Sequence, residues 1–474
     1  MLKKAVLVVS GNAFGSILLL VRNLIVARLI SPENYGIAST FALSMSIVEM
    51  LSYLGLQQLI IVDKDGDDPH FQASMHGFQI LRGCFSSVML FIIARPYAEF
   101  LSVQKVAWAY ELLALLPLIN GLQHYDPHRL RRHMNFMPTN LSNFVPALVS
   151  VLSVWPLAVI FGDYRIMLFA LFFQAIAMVA LSHLTAKRPY RATLDFAIMK
   201  KATKFGWPLL LNGMLMFGVF NGERLIVGRE LGMGQFAFFS MCTTLTLTPT
   251  LVLANSAQSL FLPQLTRARD KPAEFQRIAV ATMESSLAIA LMLVLGATLI
   301  GGPLSYLLTG SKYSAILFIL VPMAVAQALR VAKTGSGIVG LAIGQSSNSM
   351  VGNLVRVLSL PISWWIAIRT GNMLHIIWVA CIAELVGYIV AMILVARRAK
   401  IDMTPLFAPA FLTGVTCVFA LIDVAYYPPR ASFTAHWHLG LLLVAASGIV
   451  AFATMSAAGE YLLRWWRNRR SLRN

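Results

Sequence analysis

GNAFGSILLLVRNLIVARLISPENYG, Gly11 to Gly36, is long enough to cross a bilayer, yet Arg22 and Arg28 stand inside its apolar run. The stretch is written again two hundred residues later. A shift of 201 positions lays Leu24-Ile25-Val26-x-Arg28 onto Leu225-Ile226-Val227-x-Arg229, Gly11-Asn12 onto Asn212-Gly213, and Arg22 onto Glu223. A repeat that keeps its intramembrane charges points to two similar halves facing one polar cavity. That is the plan of a transporter.

The rest of the chain fits a membrane protein. It has 474 residues, 58% of them hydrophobic and 12% charged, with a mean hydropathy of +0.72. A soluble chain carries about twice that charged fraction. Apolar runs near twenty residues recur throughout, and each can span a ~30 Å hydrocarbon core as a helix. No alternating pattern of barrel strands is present. The fold class is therefore an all-α polytopic membrane protein. The first run has no A-x-A-like cleavage site and holds two arginines, which reads as a retained helix, not a signal peptide.

Fourteen spans are expected, at roughly 5–30, 37–61, 74–95, 106–123, 140–161, 165–185, 205–229, 235–261, 276–300, 314–342, 347–368, 373–396, 405–424 and 438–458. With the N-terminus inside, the inner loops collect most of the lysines and arginines, among them Arg129, Arg131, Arg132, Lys187, Arg188, Lys200, Lys201, Arg397 and Arg398. That bias places both termini in the cytoplasm. It also accounts for the net charge of +18 without nucleic acid. The segment KRPYRATLDFAIMKKATK, 187–204, reads as a basic amphipathic linker helix at the membrane surface. The expected organisation is an N-lobe over 1–186, the linker over 187–204, a C-lobe over 205–400, and two further helices with a basic tail over 401–474. The first and seventh spans run the same way, so the repeat is parallel, about an axis along the membrane normal.

Cys84, Cys242, Cys381 and Cys417 all fall in apolar runs, which argues against a disulfide framework or a zinc site. His436 and His438 lie beside Trp437 without a nearby carboxylate and read as interfacial residues. The acidic patch DKDGDD, Asp63 to Asp68, lacks the closing glutamate of a calcium loop and reads as a solvated turn. No metal site, cofactor or catalytic group is expected, and the loops are too short to house an enzyme's active site.

Five motifs, in order, resemble the polysaccharide transporter family, the Wzx-type flippases of the superfamily that also holds lipid II flippases and MATE exporters. They are LIVARLISPENYG (24–36), LRRHMNF (130–136), FGWPLLLNG (205–213), GERLIVGRELG (222–232) and GLAIGQ (340–345). The resemblance implies two six-helix bundles in a V around a central cavity. It also implies export of a glycan on polyprenyl pyrophosphate, for an O-antigen, capsule or exopolysaccharide. A polysaccharide polymerase and its chain-length machinery are the partners that this implies. H+ or Na+ is the coupling ion to consider.

An arginine held at mid-bilayer costs at least ~2.5–3.5 kcal/mol on insertion scales, so it faces water, a partner or a substrate. The expected pyrophosphate ligands are Arg22, Arg224, Arg330, Lys333, Arg28, Arg82 and Arg356, because guanidinium binds phosphate oxygens through paired hydrogen bonds. Arg22 shares a helical stripe with Gly11 and Gly15 and is the first candidate, with an ion pair to Glu223 as its alternative role. Arg28 lies nearer the outer end, where snorkelling competes. Arg330 and Lys333 are three apart on one face. Glu223, Asn12, Glu49 and Asn212 are the expected polar or ion-coupling residues of the cavity. Two other functions compete. A MATE-like cation antiporter favours acidic residues and aromatics, whereas the first span carries arginines and no acid. A membrane polymerase or ligase needs a catalytic site on larger loops.

Overall fold

The computed structural model describes residues 2–345, 347–427 and 438–460, with side chains from Phe14 onward apart from Leu51, Ser347 and Ser349. The Asn12 side chain, His436 and the basic tail from 461 lie outside the described residues.

The described chain is helical, and every predicted span contains helix. In order these are α1 (Leu2–Leu29), α2 (Pro32–Leu51), α3 (Leu56–Val62), α4 (Pro69–Phe100), α5 (Ala107–Leu113), α6 (Leu115–Gly121) and α7 (Asp126–Arg132). There follow α8 (Met137–Ile160), α9 (Arg165–Leu184), α10 (Phe196–Glu230), α11 (Gly232–Arg267), α12 (Pro272–Leu299) and α13 (Gly301–Thr309). The last are α14 (Ile316–Ala342), α15 (Ser347–Leu358), α16 (Leu360–Thr370), α17 (Met373–Ala399), α18 (Thr404–Tyr426) and α19 (Leu439–Thr454). Among the described residues, nine spans are long and apolar enough to cross a membrane, or ten if one bent pair counts as a span. This is a multi-span membrane protein. The fourteen predicted stretches are not fourteen unbroken rods, because the second, fourth and eleventh are each split in two.

The breaks have local causes. Ser31 caps α2 by accepting a hydrogen bond from the Asn34 N–H at 3.3 Å, and Pro32 occupies the first turn, where a missing N–H is harmless. Gly55 adopts φ +62° between α2 and α3, a left-handed conformation that other residues rarely take. Asp68 and Asp195 cap α4 and α10 in the same way as Ser31.

The chain divides into two compact units, Met1–Ala237 and Phe238–Asn474. In the first, α1 packs on α8, α8 on α9, α4 on α5 and α6, and α10 on α2, α3 and α4. The helix expected to open the second lobe thus packs within the first unit. The expected separate linker helix does not form. Residues 186–195 are non-helical, and 196–204 continue straight into α10, since nothing between Lys204 and Phe205 breaks the helix. In the second unit α14 is the hub, packed on α12, α15, α17 and α18 and buried along most of its length. Outward-facing Phe85, Ile92, Trp155 and Val159 are more than half exposed, as suits side chains in contact with lipid tails.

Candidate functional site: intramembrane charges and a polar cavity

Arg22 is buried, at 4% exposure. Its Nη1 donates to Ser150 Oγ on α8 at 2.9 Å and to Gln174 Oε1 on α9 at 2.8 Å. Its Nη2 donates to Asn23 Oδ1 at 3.4 Å. Ser150 passes the network on by donating to the Ala170 carbonyl at 3.1 Å. All three acceptors are neutral, so the guanidinium is braced by dipoles and keeps its full charge. Glu223 is not among its partners in the described residues, and the ion pair considered from the repeat does not form. Arg224 on α10 is half-buried, with Nη1 3.5 Å from Asn221 Oδ1. Both arginines lie within electrostatic reach of the buried Tyr35.

One hydrogen bond beyond Arg22 lies a cavity of about 370 Å3 within the first unit. Gln174 is part of its wall, as are Arg82, Glu49, Gln57, Gln79 and Asn120. Arg82 Nη1 donates to the Ser52 carbonyl at 3.0 Å, at the end of α2, and Glu49 is close enough to feel its charge. The structure therefore brings Arg82 and Glu49 to one cavity, places Arg22 behind its wall, and leaves Arg28 exposed in the last turn of α1. Asn212 is exposed on α10, and Glu223 is half-buried beside Arg224.

The other three candidates meet in the second unit, on a carboxylate. Glu384 on α17 is fully buried. Arg330 Nε lies 2.8 Å and Arg356 Nε 3.2 Å from its Oε1, and Lys333 Nζ lies 3.0 Å from its Oε2. Gly352 leaves room for Lys333 to reach it: a Cβ built there stands a tight 3.2 Å from Lys333 Cδ. Arg356 also donates to Ser359 Oγ at 3.0 Å, and Arg330 to Gln327 Oε1 at 3.1 Å. Three cations thus converge on one carboxylate. The cluster binds α14, α15 and α17 together.

The loops at one end of the first unit form a clasp. Asp63 accepts from Lys201 at 2.7 Å. Asp67 takes Arg129 at 3.4 Å, Arg132 at 3.1 Å and His133 at 2.7 Å, and the buried Asp126 takes Arg129 Nε at 2.6 Å. DKDGDD is thus a clamp and not merely a solvated turn. Partial burial works to raise the Asp63 and Asp67 pKa values, but the surrounding donors and cations outweigh it and hold both below the ordinary range. His124 sits against His76, His183 and Tyr190, with ring centroids 4.8, 5.4 and 5.5 Å away. Burial pushes its imidazole below the usual value, against the opposing hydrogen bond to the Arg188 carbonyl.

The polysaccharide biosynthesis protein family model matches residues 25–318. The chain belongs to that family. The matched region holds Arg28, Glu49, Arg82, Arg224 and the cavity wall, and ends before the Glu384 cluster. The succinoglycan biosynthesis transport protein ExoT of Rhizobium meliloti is 22% identical over 61% of this chain and 58% of its own length. The chain therefore spans a little over half of that relative. The teichuronic acid biosynthesis protein TuaB of Bacillus subtilis is 19% identical, over 84% of this chain and 83% of its own. Among solved structures, lipid II flippase MurJ in an inward closed conformation superposes with a TM-score of 0.71. It is 14% identical and covers 97% of this chain and 99% of that one. The family member described here has that fold.

Sequence reasoning placed the charges but missed what holds them. Ser150 and Gln174 carry no local mark, since polar residues in apolar spans are common. For the second cluster the available signal was Glu384 itself, an acid inside a predicted span, where a buried carboxylate needs cations as partners.

Proposed function

We propose that the protein is a flippase, not an enzyme, that moves a polyprenyl-pyrophosphate-linked oligosaccharide repeat unit from the cytoplasmic to the outer leaflet. The product feeds surface or exopolysaccharide assembly by a polymerase and its chain-length machinery. The observation that carries this reading is the buried Arg22 guanidinium, which among the described residues is hydrogen-bonded to neutral groups, with Arg22 and Arg224 both in electrostatic reach of Tyr35. A buried guanidinium held by neutral dipoles in an apolar bundle suits a phosphorylated lipid headgroup. Membership of a polysaccharide biosynthesis family and the transport role in a relative's name support it.

The protein sits in the inner membrane with both termini cytoplasmic, as the distribution of lysine and arginine supports. Transport is by alternating access. A pyrophosphate diester carries about two negative charges, and an inside-negative potential contributes ~2.3 kcal/mol per charge per 100 mV. Outward movement of the uncompensated headgroup therefore gains about 4–5 kcal/mol. Glu49, exposed at the cavity, is the carboxylate available to a coupling H+ or Na+. The test is flipping of a lipid-linked oligosaccharide in proteoliposomes with and without an imposed potential. Faster flipping with the interior of the donor side negative is expected. Equal rates overturn the potential-driven step, and no flipping at all, with surface polysaccharide intact in a deletion strain, overturns the function.

A further inference from the structure

Where α17 ends and α12 begins, the second unit holds another cavity, of about 410 Å3. Arg269, Arg398 and Lys400 stand in its wall, and among the described residues no acid does. All three cations are exposed, so a ligand can reach them. The buried Phe275 and Ile401 supply apolar lining. The nearest acids in sequence are turned to other work or stand outside the wall. Asp402 caps α18, accepting from the Thr404 N–H at 2.9 Å and from its hydroxyl at 2.6 Å. Glu274 pairs with Lys271 at 3.5 Å, and the exposed Asp270 is not part of the wall.

The turn that carries Lys400 is built and held. Lys400 adopts φ +52° at the end of α17, the left-handed closure that glycine usually fills. Residues other than glycine keep such conformations mostly at ligand clamps, active sites and switches. The Ile401 N–H closes the turn on the Ala396 carbonyl at 3.3 Å. Gln276 on α12 then clamps the next residue in both directions. Its Nε2 donates to the Asp402 carbonyl at 2.7 Å, and its Oε1 accepts the Asp402 N–H at 3.0 Å. Arg398 is steadied by donating to Asn348 Oδ1 at 2.5 Å. The cations are therefore set on a fixed frame and not on a loose loop.

Depth selects the ligand. α12 has 28 residues and α17 has 27. At ~1.5 Å per residue each is about 40 Å long, against a hydrocarbon core of ~30 Å. Their ends, and the cavity between them, thus reach the headgroup layer. Guanidiniums grip phosphate oxygens through paired hydrogen bonds, and the anion that crowds this layer is the lipid phosphate. Ligand pockets run from about 300 to 1,000 Å3, which this one meets. We infer that the cavity binds the phosphodiester headgroup of an anionic membrane phospholipid, with Arg269, Arg398 and Lys400 as direct contacts. The bound lipid ties the ends of α12, α14 and α17 together. This site stands apart from the intramembrane arginines and does not depend on the flippase reading.

The experiment is native mass spectrometry of the full-length protein in detergent, titrated with phosphatidylglycerol or with phosphatidylethanolamine of the same acyl chains. The tightest site should prefer phosphatidylglycerol at least tenfold. Arg269→Gln and Lys400→Gly should each weaken that site about tenfold, the loss of one charge-assisted hydrogen bond. Lys400→Gly should leave the lipid-free melting temperature unchanged or raised, because glycine takes the left-handed turn freely. Its lost affinity then cannot be put down to misfolding. Arg277→Gln removes an exposed cation from the same end of α12 but outside the cavity, and should bind as the parent does. Equal affinity for the two lipids, parental binding by Lys400→Gly and Arg269→Gln, or an equal loss in Arg277→Gln overturns the inference. Displacement of phosphatidylglycerol by millimolar inorganic phosphate or glycerol phosphate also overturns it, since the ligand would then be a soluble phosphate.

Discussion

Arg22 Nη1 donates to Gln174 Oε1 across 2.8 Å, joining a charge on α1 to an amide in the wall of a polar cavity. The same nitrogen reaches Ser150, so one guanidinium fixes the relative positions of α1, α8 and α9. Charge and cavity are thus coupled although Arg22 does not itself line the pocket.

Arg22→Met should lose both functions of that group. Ser150 and Gln174 would each lose a charged donor, and bonds of that kind are worth about 1.5–3 kcal/mol. Relief of the buried, unneutralised charge offsets part of this, so a net destabilisation of about 1–2 kcal/mol is expected. Export should fall by more than the loss of folded protein explains. Arg22→Glu should abolish it. Polymer yield normalised to folded protein measures the difference, and a normal yield for Arg22→Glu would leave the residue purely a brace.

Glu384 holds three cations, so its loss is the severe one. Glu384→Gln leaves Arg330, Lys333 and Arg356 facing each other in a buried site. Breaking a buried ion pair typically costs about 3–5 kcal/mol, enough to remove most of the folded protein. Adding Lys333→Met to Glu384→Gln should restore folded yield in part, because one repulsive charge goes with it. Detergent-solubilised yield by size-exclusion chromatography reads both, and a double variant worse than the single would contradict the arrangement.

These contacts divide into what the sequence displays and what it hides. An arginine in an apolar run is visible at once, as Arg22, Arg330 and Arg356 were. The spans were visible because hydrocarbon thickness sets their length. The partners of Arg22 were hidden because Ser150 and Gln174 stand 128 and 152 positions away, and neutral residues leave no charge pattern to match. The clasp was hidden for the same reason: Asp63 meets Lys201 over 138 positions. The repeat suggested Glu223 for Arg22, but an alignment of halves matches backbone plan and does not assign side-chain partners. The fusion of 196–204 into α10 was missed because a basic amphipathic stretch looks alike whether it lies on a membrane or prolongs a span.

The clasp should loosen in mild acid. His124 Nδ1 accepts the Asp126 N–H at 3.0 Å while Nε2 faces the Arg188 carbonyl at 3.0 Å, so the folded ring is neutral. His76 and His183 crowd it, Asp126 attracts a proton, and Arg129 repels one. Burial prevails and lowers the folded pKa. An unfolded imidazole titrates near ~6.5, so as the pH drops the opened state takes up protons first. The stability His124 confers is complete above that value and is lost as pH falls toward the folded pKa. Amide protection factors across 185–195, corrected for the intrinsic pH dependence of exchange, should fall below about pH 6.5. His124→Asn should blunt that dependence, and identical profiles would show that another group sets it.

Asp67 and Asp65 offer a contrast within one loop. Asp67 accepts from Arg129, Arg132 and His133, all on or just beyond α7. The Asp65 side chain is 61% exposed and, among the described residues, meets Lys201 alone, 3.1 Å away, a cation that Asp63 already holds. A solvent-exposed pair is worth about 0–1 kcal/mol, and a network serving several cations more. Asp65→Asn should therefore stay within about 0.5 kcal/mol of the parent. Asp67→Asn should cost about 1 kcal/mol and free α7 from the 63–68 loop. Limited proteolysis at the Lys64 bond reads this directly: Asp67→Asn should be cut faster than the parent, and Asp65→Asn at the parental rate. Equal rates for the two variants would mean that the loop is held by the Arg132 contacts to the Ile61 and Asp63 carbonyls instead.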